Sequence, residues 1–456
     1  MNKYIVLIII VCFGFFNKTS QAEDALNIML QPEQISEDLD QWLAFLDNTH
    51  PQLSYTVNNV DAFYADVEQL RKSIIKPISA QDFWKKVTVF NSVLSDGHTV
   101  IKFPKLKTLA NQHVKNGGGL FPFQVIFDQD KLVIKSKADG EATDYRGYEV
   151  THINGQATND FIQPLLQRTN GDSERFRKAL LQRRLAEYIW LYYGDFASFD
   201  LTLTKYGQQQ TKVFASSHTE FNLDDADVFS KQFKFEILDE SNALITLNTF
   251  SWGAKYKDVI AFLHDAFAQI QQKNIQHVII DIRENGGGDD SIWIDGILPY
   301  IADKTWRTGS NNKFKVLKGR ANKERKVGDV IESENSFRDV DNNVKKFTGD
   351  VSVLISAFTY SSSILFANVI QDHQFGQLVG EATGGKSGQT GGTQAITLTN
   401  SKLRVVSPFF YLERPKGGDN HNPVEPDITI NYDKTIPVQL VNKLINQRKV
   451  RSGKIQ

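Results

Sequence analysis

The sequence predicts an α/β fold: a β/α layered core preceded by a helical segment and a small β-rich segment. Three observations lead there. HVIIDI and VSVLIS are uninterrupted apolar runs of strand length, as expected of strands covered on both faces. Between ALITLNTF and HVIIDI lies KDVIAFLHDAFAQIQQ, whose Val259, Phe262, Leu263, Phe267 and Ile270 fall on one helical face. Ahead of about Phe221 the periodicity is first helical and then that of short strands.

The elements follow in order. Residues 1–22 carry Lys3, an apolar stretch, and Ser20 and Ala22 as small residues around a cleavage site, the pattern of a secretory signal cut after Ala22. The apolar stretch is short for a span of about 20 residues. Cys12 follows the bulky Val11, which disfavours lipid anchoring at that cysteine. A periplasmic or secreted protein is expected, with no stable membrane insertion after cleavage. Residues 23–116 read as a helical domain. SEDLDQWLAFLDNTHP opens on Ser36 as a cap; VDAFYADVEQLRKSI gives a second helix. SAQDFWKKVTVFNSVL gives a third, with Ser79 and Asp82 as a capping pair and Phe83, Val87, Phe90 and Val93 on one face. The run NGGGLFPFQV marks a boundary, and residues 117–217 read as a compact β-rich domain in which Asn154-Gly155 turns between a strand and a helix. Residues 218–456 hold the layered core. Within it, the polar stretch 311–349 reads as a surface insertion or loop.

Composition removes several function classes. The 456 residues carry 52 Lys and Arg against 53 Asp and Glu, a net charge of −1, so nothing draws the chain to nucleic acid or an anionic membrane. The sole cysteine lies in the signal, which leaves the mature chain without disulfides, a thiol nucleophile or thiolate metal sites. Stability must come from an apolar core, to which the 31 phenylalanines contribute.

Four stretches carry chemistry. In VSVLISAFTYSSSILFANVI a strand turns through three serines into an apolar helix. Serines there either cap the helix or place one hydroxyl among unpaired amides that favour negative charge. DIRENGGGDD ends a buried strand in three glycines, which allow close approach of a substrate to the main chain. It also reads as a turn, or as a metal site at Asp289 and Asp290. GEATGGKSGQTGG holds Lys386, a general base only if its pKa is lowered. Its spacing fits neither phosphate-loop pattern. LSDGHTVI holds His98, either the partner of a nucleophilic serine or a structural histidine.

Together these stretches resemble the tail-specific, or C-terminal processing, serine peptidases and their tricorn-like relatives. The family's T-A-S-A-S-E stretch corresponds to Thr359, Tyr360, Ser361, Ser362, Ser363 and Ile364, with the nucleophile at the first serine. Its Q-D pair corresponds to Gln371-Asp372, its G-E-x-T-x-G-K loop to Gly380 to Lys386, its D-x-R-x-N-x-G-G to DIRENGGG and its V-x-P-D to Val424 to Asp427. The resemblance implies a ClpP/crotonase-like core, a PDZ-like module in which GLFPFQV binds a substrate tail, and a polypeptide substrate. It implies Ser361 as nucleophile, His98 or Lys386 as base, and an oxyanion site from the amides of Ser362 and of Gly287 or Gly288. Asp372, Gln389, Asp419 and Glu425 stand as supporting residues, and Gly119, Leu120 and Phe121 as substrate-binding residues. No metal or cofactor is expected. Ile364 replaces the family's glutamate, and Gln389 comes one place earlier than in the lysine branch. The rival readings are a hydrophobic-ligand-binding protein on the same fold and an esterase or other acyl hydrolase. The oligomeric state is left open.

Overall fold

The computed structural model describes residues 25–451 apart from 224 and 419, so the signal at 1–22 and Asp419 lie outside the described residues. Helices α1 (Pro32–Thr49), α2 (Val60–Ser73), α3 (Ala80–Val87) and α4 (Leu106–Lys115) form the amino-terminal part. α1 begins at Pro32, where Gln31 and Gln34 bond reciprocally to each other's backbone, so Ser36 lies inside the helix and caps nothing. Ser79 caps α3 through the Asp82 amide at 3.0 Å. Phe83, Val87 and Phe90 are buried, whereas Val93 faces outward, because the helix breaks at Thr88. Strand β1 (Val100–Lys102) follows the break.

The middle part is an antiparallel sheet of β2 (Phe123–Asp128), β3 (Lys131–Lys137), β4 (Glu149–Ile153), β5 (Ser198–Lys205) and β6 (Gln208–Ala215), in that order, with β2 and β6 at its ends. Helices α5 (Thr158–Arg168), α6 (Glu174–Leu181) and α7 (Leu185–Tyr193) lie between β4 and β5. The expected break at 116/117 is not a break in the core. Trp42, Phe83 and Trp84 of the helices share one apolar cluster with Phe121, Ile134 and Phe199, and with Leu403 and Val405 from far downstream. An apolar face this large is buried more fully by one joint core than by two small ones.

The third part is a five-stranded sheet of β7 (Phe233–Ile237), β8 (Asn242–Leu247), β9 (His277–Asp281), β12 (Asp350–Ile355) and β13 (Gln377–Gly380), parallel from β8 onward. Helices α8 (Tyr256–Gln272) and α9 (Ser362–Asp372) pack with it around a second core, and α10 (Val438–Arg451) closes the opposite side over Ile279 and Leu354. The stretch 311–349 is not a plain loop. Its β10 (Asn311–Lys315) and β11 (Val330–Glu334) form a hairpin, and β10 pairs with a late strand, Phe410–Leu412, which also pairs with Gln389–Gly391. Polar composition hid a strand pair whose partner lies some hundred residues away. A further small sheet joins β1 to Arg404–Ser407, tying the first part to the last.

His277, buried in β9, sits between Asn242 Oδ1 (2.8 Å) and Ser352 Oγ (2.9 Å). Burial, with the nearby Arg448 charge, lowers its pKa to about 4. Between pH 6.5 and 4 the unfolded chain takes up a proton that the folded one refuses. This contribution to stability is therefore complete above pH 6.5 and is lost as pH falls towards 4, by about 3 kcal/mol in all. His277→Gln is expected to flatten the fall of the melting temperature across that window; an unchanged slope rejects the assignment.

Candidate active site

The end of β12 turns through Ser356–Tyr360 into α9. Other loops fix this turn at several points. The Thr359 hydroxyl donates to the Ile282 carbonyl (3.1 Å), the Ser356 hydroxyl to that of Arg283 (2.6 Å), and the Tyr360 amide to that of Asn285 (3.2 Å). So held, Ser361 takes φ 56°, ψ −126°, a conformation costing about 1–3 kcal/mol for a residue with a Cβ. Its side chain does not cap the helix. The three serines part ways here. Ser362 Oγ donates to Asp290 Oδ1 (2.5 Å) and accepts from Trp293 Nε1 (3.0 Å). Ser363 is fully buried. Ser361 alone of the three is partly exposed.

His98 lies on the tight loop that leads into β1. Its Nε2 is 3.0 Å from Ser361 Oγ, and its Nδ1 is 3.1 Å from Thr390 Oγ1. Thr390 Oγ1 in turn donates to Asp96 Oδ1 at 2.8 Å. With that proton committed to the carboxylate, the threonine oxygen accepts from Nδ1–H, which leaves the Nε2 lone pair facing the serine. Asp96 also accepts from the His98 amide (3.0 Å) and the Thr99 hydroxyl (2.6 Å). The buried ring of His50 stands 3.8 Å away, within Coulombic range though beyond a hydrogen bond. Burial pushes the Asp96 carboxyl up; His50, His98 and Thr99 outweigh it and hold it well below the usual carboxylate range. Neither Asp96 nor Thr390 was among the candidates. Asp96 has a signal, two places before His98, whereas the acids named from the sequence, Asp372, Asp419 and Glu425, all lie in the last ninety residues. Thr390 is exposed only by the pairing that brings Gln389–Gly391 to Phe410–Leu412.

The glycine loop after β9 passes against the nucleophile. A Cβ on Gly287 would lie 2.7 Å from that of Ser361. The Gly287 amide is nevertheless turned away, donating to Asn285 Oδ1 at 2.9 Å. Of the two glycines named from the sequence, Gly288 is left as the donor candidate. It stands with Ser362, the first residue of α9, whose amide has no intrahelical acceptor.

The remaining candidates fall elsewhere. Lys386 makes no hydrogen bond to Ser361 among the described residues; its Nζ reaches the Ser95 carbonyl (3.4 Å) and its amide donates to Asp172 Oδ2 (3.0 Å). Gln389 Nε2 donates to the Lys386 carbonyl (2.6 Å) and so braces its own loop. Asp372 sits at the far end of α9, about 16 Å of helix from Ser361, where Arg414 binds it with both Nη2 (2.5 Å) and Nε (3.1 Å). Glu425 accepts through its carbonyl from Gln371 Nε2 (3.0 Å) and borders a cavity of about 930 Å³ with Phe127, Arg175, Phe358 and Tyr432. Gly119, Leu120 and Phe121 offer no open carboxylate nest. The Gly119 amide is bound by Asp195 Oδ1 (3.0 Å), the Leu120 amide by the Ser217 carbonyl (2.9 Å), and Phe121 is buried against Phe199.

Residues 241–430 match the family described as Peptidase family S41. A nisin-resistance protein of Lactococcus lactis subsp. lactis is 26% identical over 212 residues, which cover 45% of this chain and 62% of that one. The chain thus spans about three fifths of that relative. Among solved structures, mature CPAF superposes with a TM-score of 0.64 at 12% identity, over 91% of this chain and 97% of its own. Its complex with lactacystin superposes with a TM-score of 0.60 at 12% identity, over 91% and 98%. At these identities the likeness is one of fold.

Proposed function

We propose that this protein, whose residues 241–430 match peptidase family S41, is a serine-type peptidase that hydrolyses polypeptide substrates through an acyl-enzyme on Ser361 with His98 as the base. The observation that carries this is the 3.0 Å contact of His98 Nε2 with Ser361 Oγ, backed by Thr390 and Asp96. Ser361 Oγ attacks the scissile carbonyl while its proton passes to Nε2. The oxygen that gains charge is held by the amides of Ser362 and Gly288. The imidazolium, steadied through Thr390 by the Asp96 carboxylate, gives its proton to the leaving amine. Water then takes the place of the amine, and the same histidine drives hydrolysis of the ester.

In this reading the five-stranded sheet with its helices is a ClpP/crotonase-like core, and the 123–215 sheet a PDZ-like module. The pattern of residues 1–22 supports export to the periplasm or beyond. Tail capture at Gly119–Phe121 has the least support, because the amides there are already bonded. The outward amide of the neighbouring Phe127 on the end strand β2 is bound too, by Gln182 Oε1 (2.9 Å).

Fluorogenic peptides, unfolded casein and p-nitrophenyl esters, offered to the same preparation, test the function. Amide hydrolysis blocked by a fluorophosphonate is the expected result. Ester turnover without amide turnover makes the protein an esterase; neither makes it a binding protein.

A further inference from the structure

His98 Nδ1 faces a second hydroxyl. Tyr360 OH lies 3.4 Å from it and donates to Asp172 Oδ1 at 2.7 Å. Tyr360 fills the place where the T-A-S-A-S-E stretch has alanine. Its ring is buried, stacked on Phe176 (4.0 Å between centroids) and tilted over the His98 ring (5.0 Å). The phenol oxygen also accepts the Gly97 amide at 3.0 Å, and Gly97 must be glycine there, since a Cβ would lie 2.6 Å from the phenol. Asp172 gathers three pieces of the site from outside the peptidase core. It accepts the Gly97 amide (2.8 Å) on the base loop, the Tyr360 hydroxyl beside the nucleophile, and the Lys386 amide (3.0 Å) on the glycine-rich loop. It belongs to the turn before α6, in the middle part of the chain, and that turn is pinned as well by Ser173 Oγ on the Gly384 carbonyl (2.5 Å).

We infer that Tyr360 and Asp172 are positioning residues for His98, a second hydroxyl–carboxylate arm that acts beside Thr390 and Asp96 on the same ring nitrogen. The Nδ1 proton is shared between two oxygens, each of which has committed its own proton to a buried carboxylate. When the ring takes the serine proton, both arms stabilise the cation and hold the ring plane. Burial and the Asp96 charge raise the Asp172 carboxyl above the usual carboxylate range, against the bonds from Tyr360 and Lys386, which act the other way.

The inference rests on Ser361 and His98 being nucleophile and base, and its test separates the two. The charged and titratable groups of the network around His98 are Asp96, His50, Tyr360, Asp172 and Lys386; Asp96, Asp172 and Lys386 also line a cavity of about 10 Å³ with Tyr55, Tyr411 and His421. The rate of Ser361 labelling by a fluorophosphonate is measured from pH 5 to 9 for the wild type, Tyr360→Phe, Asp172→Asn, Thr390→Val and His98→Ala. Tyr360→Phe keeps both ring contacts and removes only the hydroxyl. Its labelling is expected to fall roughly 10-fold, the loss of one hydrogen bond to a charged group, with the acid limb moved to lower pH. Thr390→Val is expected to move the limb the same way. A Tyr360→Phe profile that superposes on the wild type, in protein that melts normally, overturns the inference while leaving nucleophile and base in place. Should that variant melt low, the Asp172→Asn profile decides by the same criterion. Wild-type labelling in His98→Ala overturns instead the reading on which the inference rests.

Discussion

His98→Ala is expected to slow acylation of Ser361 by about 10³-fold, the contribution of a positioned general base, whereas Lys386→Met stays within about tenfold, the scale of a lost Coulombic neighbour. Both are read as fluorophosphonate labelling rates at pH 8, with Ser361→Ala as the unlabelled control. The asymmetry follows from geometry. His98 Nε2 is within hydrogen-bond reach of Ser361 Oγ, while the lysine Nζ ends on the Ser95 carbonyl. Removing the lysine charge leaves Asp172 less well compensated, which accounts for the smaller effect. The reverse pattern, loss with Lys386→Met and retention with His98→Ala, makes lysine the base.

Gly288→Ala is expected to destabilise the protein by about 4 kcal/mol or more and to abolish labelling. A Cβ at this position would lie 2.1 Å from the Phe250 carbonyl carbon and 2.3 Å from its oxygen, and φ is +145°. The obstacle is backbone, held by the Phe250 amide on the Gly287 carbonyl (3.0 Å) and the Asp289 amide on the Phe250 carbonyl (2.7 Å), so it cannot rotate aside. Gly117→Ala is the control. It too has positive φ, +93°, but nothing within 4 Å, so only the backbone term of about 1 kcal/mol is expected. Equal melting temperatures for the two variants would mean that the Gly288–Phe250 approach is not rigid.

Legibility in the sequence followed the range of the interactions. The core strands β9 and β12 and the helix α8 were readable because their apolar patterns are local. The Ser361 turn and the His98 loop were readable for the same reason, as short strings with a chemical residue at a fixed place. The supporting groups were not. Thr390 reaches His98 across 292 residues of chain, and Asp172 reaches Tyr360 across 188. Nothing in GQTGG or NGDSE marks either as facing a histidine. Gly287 shows another limit: the sequence put it beside the nucleophile, but the direction of its amide depends on the Asn285 side chain. The hairpin in 311–349 was hidden by polar composition, since β11 is largely exposed and β10 is held through a partner at 410–412.

The small sheet that joins Val100–Lys102 to Arg404–Ser407 has a temporal meaning. The loop carrying the histidine is anchored by a partner made some three hundred residues later. During synthesis, therefore, the emerging polypeptide holds its basic group for a long interval without the strand that braces it. The brace is complete only once residue 407 has emerged, after the serine turn itself has been made.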